Sequence, residues 1–101
     1  MSKMTLRLRS HYRSEMGIMG DILHACIDGG RDGICVNALG RKANLAHYAV
    51  LDKCEKLINA GLVETIRIGT NRKFMITEKG LKVFDEFKNF QNLLESLELR
   101  Y

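Results

Sequence analysis

The chain lacks proline and tryptophan altogether and holds only three cysteines in 101 residues. Cys26, Cys35 and Cys54 are odd in number and stand 9 and 19 positions apart, which fits neither a disulfide framework nor a zinc pattern. Reduced thiols and no metal are expected. No apolar stretch approaches the ~18–20 residues of a membrane span. The first thirteen residues carry Lys3, Arg7, Arg9 and Arg13 and lack the apolar run of a signal peptide, so a cytoplasmic protein is expected. A Gly-rich phosphate loop and clustered carboxylates are missing, and His11, His24 and His47 lie far apart, which leaves catalysis little to stand on. At this length most of the 46% hydrophobic fraction must enter one core, which excludes a two-domain enzyme and leaves little room for a separate cofactor site.

What the chain does have is an uneven charge. The net +4 divides into +4 for residues 1–13, −3 for 14–33, +4 for 34–76 and −1 for 77–101. A basic stripe is the footprint of a polyanionic partner, whereas scattered lysine is ordinary solvation.

Ser14 can cap a helix whose apolar positions Met16, Met19, Ile22, Leu23, Cys26 and Ile27 recur at the spacing of one buried face, ended by Gly29-Gly30. Gly17 and Gly20 each cost such a helix roughly 1 kcal/mol relative to alanine, which predicts a close neighbour against them. A two-turn helix over Val36 to Ala43 follows, then a break at Asn44 and Leu45. A third helix runs from about Ala46 to Ala60 with Val50, Cys54, Leu57 and Ile58 inward and Gly61 as its end. Ile66 and Ile68 alternate with Thr65 and Arg67 before Gly69-Thr70-Asn71-Arg72, and Phe74 and Ile76 flank Met75, which reads as a β-hairpin. Thr77 caps a last helix that meets no glycine after Gly80.

Helix, helix-turn-helix, hairpin, helix is the order of a winged helix-turn-helix, an α+β and mainly α fold. The basic block falls on its second and third helices and hairpin. The outward face of the third helix presents Tyr48, Ala49, Asp52 and Lys56 with Lys53 at its edge, where a helix in the major groove reaches bases or phosphates. Arg67, Asn71, Arg72 and Lys73 sit on or beside the hairpin tip, and Arg41 and Lys42 would meet the flanking backbone. Asp52 repels phosphate; it either accepts from a cytosine amino group or marks a helix that sits shallowly. Double-stranded DNA is the expected partner, and an acidic protein is the rival.

The segments YRSEMGIMGDIL, RKANLAHYAVLDKCEKLINAGLVE and KFMITEKGLKVFDEF resemble the small archaeal winged-helix DNA-binding proteins whose long C-terminal helix forms an antiparallel coiled-coil dimer. The resemblance covers about residues 12–101. It implies double-stranded DNA as ligand, a homodimer, and a role as transcription regulator or nucleoid-associated chromatin protein. Ala46 departs from the serine cap common in that family, and Gly17 with Gly20 loosen the first helix.

The last helix argues for a dimer independently. Val83, Phe87, Phe90, Leu94, Leu97 and Tyr101 are spaced 4, 3, 4, 3 and 4, a heptad seam. Leu81 and Phe84 lie off it and are expected to anchor the helix to the winged domain. From Glu78 to Arg100 the helix would be about 35 Å long at ~1.5 Å per residue, leaving Phe87, Phe90, Leu94, Leu97 and Tyr101 with only a second copy to cover them. The chain thus divides into a basic arm (1–13), a winged helix-turn-helix (14–77) and a dimerisation helix (78–101). Met4, Leu6 and Leu8 alternate with basic residues as a strand would, but the segment is taken as an arm that adds phosphate contacts. His24 is expected in solvent and His47 packed in the turn. Cys26 and Cys54 fall on core stripes, whereas Cys35 begins a helix, where its thiol pKa can fall.

Overall fold

The structure is a computed structural model and describes residues 14–98. Helix α1 spans Glu15–Gly29, and the Ser14 hydroxyl accepts from the Gly17 N–H at 2.9 Å, as its cap position predicts. Gly30 ends the helix at φ 58°, its N–H returning to the Cys26 and Ile27 carbonyls. A 3-10 turn over Gly30–Asp32 leads into β1 (Ile34–Cys35), a strand the sequence did not announce. Helix α2 covers Val36–Ala43, and Asn44 breaks it in the left-handed region at φ 55°. Helix α3 covers His47–Asn59, with Ala46 as a cap that offers no side-chain hydrogen bond. After Gly61, at φ 79°, come β2 (Val63–Ile68), β3 (Asn71–Ile76) and α4 (Glu78–Ser96).

The sheet has the order β1-β3-β2, all antiparallel, with Ile34 opposite Phe74 and Val63 opposite Ile76. Phe74, Ile22, Leu39, Val50, Val63, Cys26 and Cys54 are the largest fully buried side chains, so the three helices and the sheet share one core. Losing a side chain such as Phe74 would cost about 3–5 kcal/mol, a large part of a small domain's stability.

Helix α4 is fastened at its start. The Thr77 hydroxyl accepts from the Gly80 N–H at 3.0 Å and donates to the Gly61 carbonyl at 2.7 Å. The Thr77 N–H donates to the Leu62 carbonyl at 3.0 Å, and the Lys79 ammonium to the Ala60 carbonyl at 2.9 Å. Gly80 is buried there and leaves no room for a side chain, since a Cβ would overlap the Leu62 carbonyl and approach Ile76 Cγ1 to 2.6 Å. The helix ends earlier than its apolar spacing suggests: Leu97 caps it and Glu98 turns to φ 59°. Its 19 residues span about 29 Å at ~1.5 Å per residue.

The close neighbour predicted for Gly20 is the Phe87 ring, which occupies the space a Cβ would need. The expectations for residues 1–13, and for Tyr101, lie outside the described residues. Among the described residues no helix is long and apolar enough to cross a membrane.

Candidate nucleic-acid interface

Helix α3 buries Val50, Cys54 and Leu57 and turns Tyr48, 78% exposed, to solvent. Asp52 is exposed on the same side and Ala49 is half-buried. The two lysines are not free. Lys53, its side chain only 17% exposed, reaches Glu15 Oε2 at 3.5 Å, and Lys56 reaches Glu15 Oε1 at 3.4 Å. Asp52 stands 3.9 Å from both ammonium groups. The Lys53 charge, then Lys56, holds the Glu15 carboxyl below the usual carboxylate range. Lys53 thus sits deeper than an edge residue of an exposed face, because its ammonium turns toward the start of α1.

Arg41 and Lys42 occupy the exposed last turn of α2, where cations suit the helix dipole. Lys42 lies 3.7 Å from Asp28 of α1. An open groove of about 440 Å³ separates α2 from the start of α3 and is lined by Asn37, Arg41, Asn44 and His47 among others. His47 is exposed at the head of α3 rather than packed in the turn, where the Leu45 N–H donates to the Gly40 carbonyl at 2.9 Å instead.

In the hairpin, Arg67 faces Arg72 directly across β2 and β3, so the two side chains share one face of the sheet. The Arg72 guanidinium lies 5.0 Å above the centre of the buried Phe74 ring. Its charge also acts on the Cys54 thiol of α3, lowering its pKa against the larger effect of burial. Lys73, opposite Ile66 and Cys35, takes the other face, and Asn71 is exposed at the tip. Among the described residues, Arg41, Arg67, Arg72 and Lys73 form no ion pair.

Along α4 the apolar residues divide differently from the heptad reading. Phe84 packs on the core and stacks on His24 at 5.7 Å between ring centres, and Phe87 lies against Gly20. Leu81, expected as an anchor, is 46% exposed instead. Val83, Phe90, Leu93 and Leu97 are exposed and Leu94 is half-buried. Spacing alone cannot say which stripe the chain covers itself; the bare Gly20 surface decides it by admitting an aromatic ring.

Burial raises the Cys26 thiol to about 12 and the Cys54 thiol to about 11. Cys35 goes the other way, lowered first by the Ala38 N–H at the start of α2. Sequence reasoning missed Glu15, Asp28 and the exposed His47. The acids were visible only as members of an acidic block, and nothing in their spacing tied them to lysines 14 to 41 positions away.

A family profile described as winged helix-turn-helix matches residues 12–95. No curated protein matches the sequence. Among solved structures, Sso10a-2, a DNA-binding protein from Sulfolobus solfataricus, is 23% identical with a TM-score of 0.66, over 85% of this chain and 90% of that one. The transcriptional regulator BldR from the same organism is 24% identical with a TM-score of 0.69, over 79% of this chain and 58% of that one. MepR of S. aureus in complex with DNA is 17% identical with a TM-score of 0.67, over 80% and 68%. The chain thus spans less than two thirds of BldR. At these identities the likeness is one of fold, shared with DNA-binding transcription regulators.

Proposed function

Because the chain belongs to the winged helix-turn-helix family, we propose that it binds double-stranded DNA as a homodimer, acting as a transcription regulator or an architectural chromatin protein. The observation that carries this is the Arg67–Arg72 pair. Like charges directly opposite on a sheet destabilise it, and among the described residues no carboxylate pairs with either. A phosphate between them would relieve the repulsion and supply the bidentate contacts that guanidinium groups favour. In this reading Tyr48 and Asp52 of α3 meet base edges, Arg41 and the hairpin meet the backbone, and residues 1–13 add phosphate contacts. The similar structures include one protein solved with DNA and another described as DNA-binding.

The exposed Val83, Phe90, Leu93 and Leu97 of α4 support pairing with a second copy, as the coiled-coil resemblance implies. Two linked winged domains then engage neighbouring groove segments at high effective concentration. A cytoplasmic, nucleoid-associated location follows from the same reading.

Binding-site selection followed by anisotropy titration of selected and scrambled duplexes tests it. Binding should weaken with salt. A selected-to-scrambled ratio of ~10³ or more marks a regulator, and a ratio near one marks a chromatin role. Failure to retain any duplex at low salt refutes DNA binding and favours an acidic protein partner.

A further inference from the structure

Both lysines of α3 end on one carboxylate from another helix, 38 and 41 positions earlier in the chain. Each carboxylate oxygen of Glu15 takes one ammonium, at 3.5 Å from Lys53 and 3.4 Å from Lys56. With Asp52 at 3.9 Å from each, two cations and two anions close into a neutral ring on the flank of the recognition helix. Glu15 occupies the first turn of α1, where the helix dipole also favours a negative charge. The cations of this surface therefore fall into two sets. Lys42, Lys53 and Lys56 are all held by acids of α1, whereas Arg41, Arg67, Arg72 and Lys73 form no ion pair among the described residues.

Resting on the DNA-binding reading, we propose that Glu15 is a specificity-determining residue of the interface. It occupies Lys53 and Lys56, so that neither ammonium is free for phosphate and sequence-independent attraction is left to Arg41, Arg67, Arg72 and Lys73. The physical basis is competition. A phosphate must displace Glu15 to gain either ammonium, so these lysines release few counterions from DNA and add little to non-specific affinity. Holding non-specific affinity down raises the ratio by which a correct site is distinguished.

The test is E15Q, which keeps the shape and leaves the Ser14 cap intact, titrated against selected and scrambled duplexes over a salt series. Freed lysines should steepen the slope of log K against log salt on scrambled DNA by up to about 1.8, since each neutralised phosphate adds ~0.9. Scrambled affinity at low salt should rise more than selected affinity, so the ratio falls. Adding E15Q to a K53Q/K56Q protein should produce no such gain. A wild-type slope in E15Q, while the wild type binds duplex, overturns the proposal. So does a gain that persists without the two lysines, because Glu15 would then act only as diffuse charge. A wild type that binds no duplex at low salt overturns the DNA reading and this inference together, and that outcome is read on the unmutated protein.

Discussion

Replacing Arg67 with alanine should strengthen the fold and weaken the DNA complex at once. Arg67 and Arg72 stand directly opposite on one face of the hairpin. A like-charge pair in that geometry costs roughly 0.2–1 kcal/mol. For a domain of this size ~1 kcal/mol moves the melting temperature by about 4–8 °C, so Arg67→Ala should raise it by roughly 1–8 °C at low salt. Arg72→Ala removes the same repulsion but also gives up the contact with the Phe74 ring at 5.0 Å. That contact is worth about 0.5–1 kcal/mol, so the two effects nearly cancel and the melting temperature should hardly move. Binding should not show this asymmetry. Each substitution should reduce the salt slope by about 0.9 if each arginine neutralises one phosphate. Thermal unfolding followed by circular dichroism reads the first effect and anisotropy the second. Because salt screens exposed charges, the stability gain of Arg67→Ala should fade near ~1 M salt. A lower melting temperature for Arg67→Ala at low salt would refute the repulsion. An unchanged salt slope would take the hairpin out of the interface.

Gly80→Ala should lower the urea midpoint more than Gly20→Ala, because a Cβ at Gly80 meets the Leu62 backbone whereas at Gly20 it meets only a side-chain ring. Overpacking costs about 1–3 kcal/mol, offset by ~1 kcal/mol of helix propensity, and equal midpoints would contradict this. Iodoacetamide at neutral pH should label Cys35 in the folded protein and reach Cys26 and Cys54 only on unfolding; mass spectrometry of the peptides decides. Burial raises those two thiols from the usual 9.0 to about 12 and about 11. Their contribution to stability is therefore complete below pH 9.0 and is lost as pH climbs through the folded values, which melting curves across alkaline pH will show. Phe90→Glu with Leu97→Glu should give a folded monomer by sedimentation equilibrium, and a monomeric wild type at micromolar concentration argues against the α4 dimer. Phe87→Ala should instead cost stability within one chain, since its ring covers Gly20.

The elements most legible in the sequence are those whose ends are set by local chemistry. Ser14, Asn44, Gly61 and Thr77 mark boundaries through caps and backbone conformations that a few neighbouring residues determine. Strand β1 escaped because two residues carry no periodicity, and Ile34 and Cys35 become a strand only by pairing with Phe74 and Lys73 nearly forty positions later. The facing of α4 escaped for a related reason. Its apolar positions allow more than one stripe, and which of them touches α1 depends on Gly20, in a different helix. Within the candidate interface, residue types and their elements could be read directly, but the Glu15 ion pairs could not, because they depend on how α1 crosses α3.

The fastening of α4 has a mechanical consequence. Thr77 and Lys79 grip residues 60–62, the segment that follows α3 without any intervening loop of its own. The end of α3 and the start of α4 are thereby clamped together at residues 60–62. Beyond this clamp α4 extends over about 29 Å from Glu78 to Ser96 at ~1.5 Å per residue. Farther along, Phe84 stacks on His24 and Phe87 covers Gly20, so the same helix is seated on α1 as well. Whatever seats itself on the exposed face of α4 therefore rests on an element joined both to the end of α3 and to α1, the two helices that share the Glu15 ion pairs.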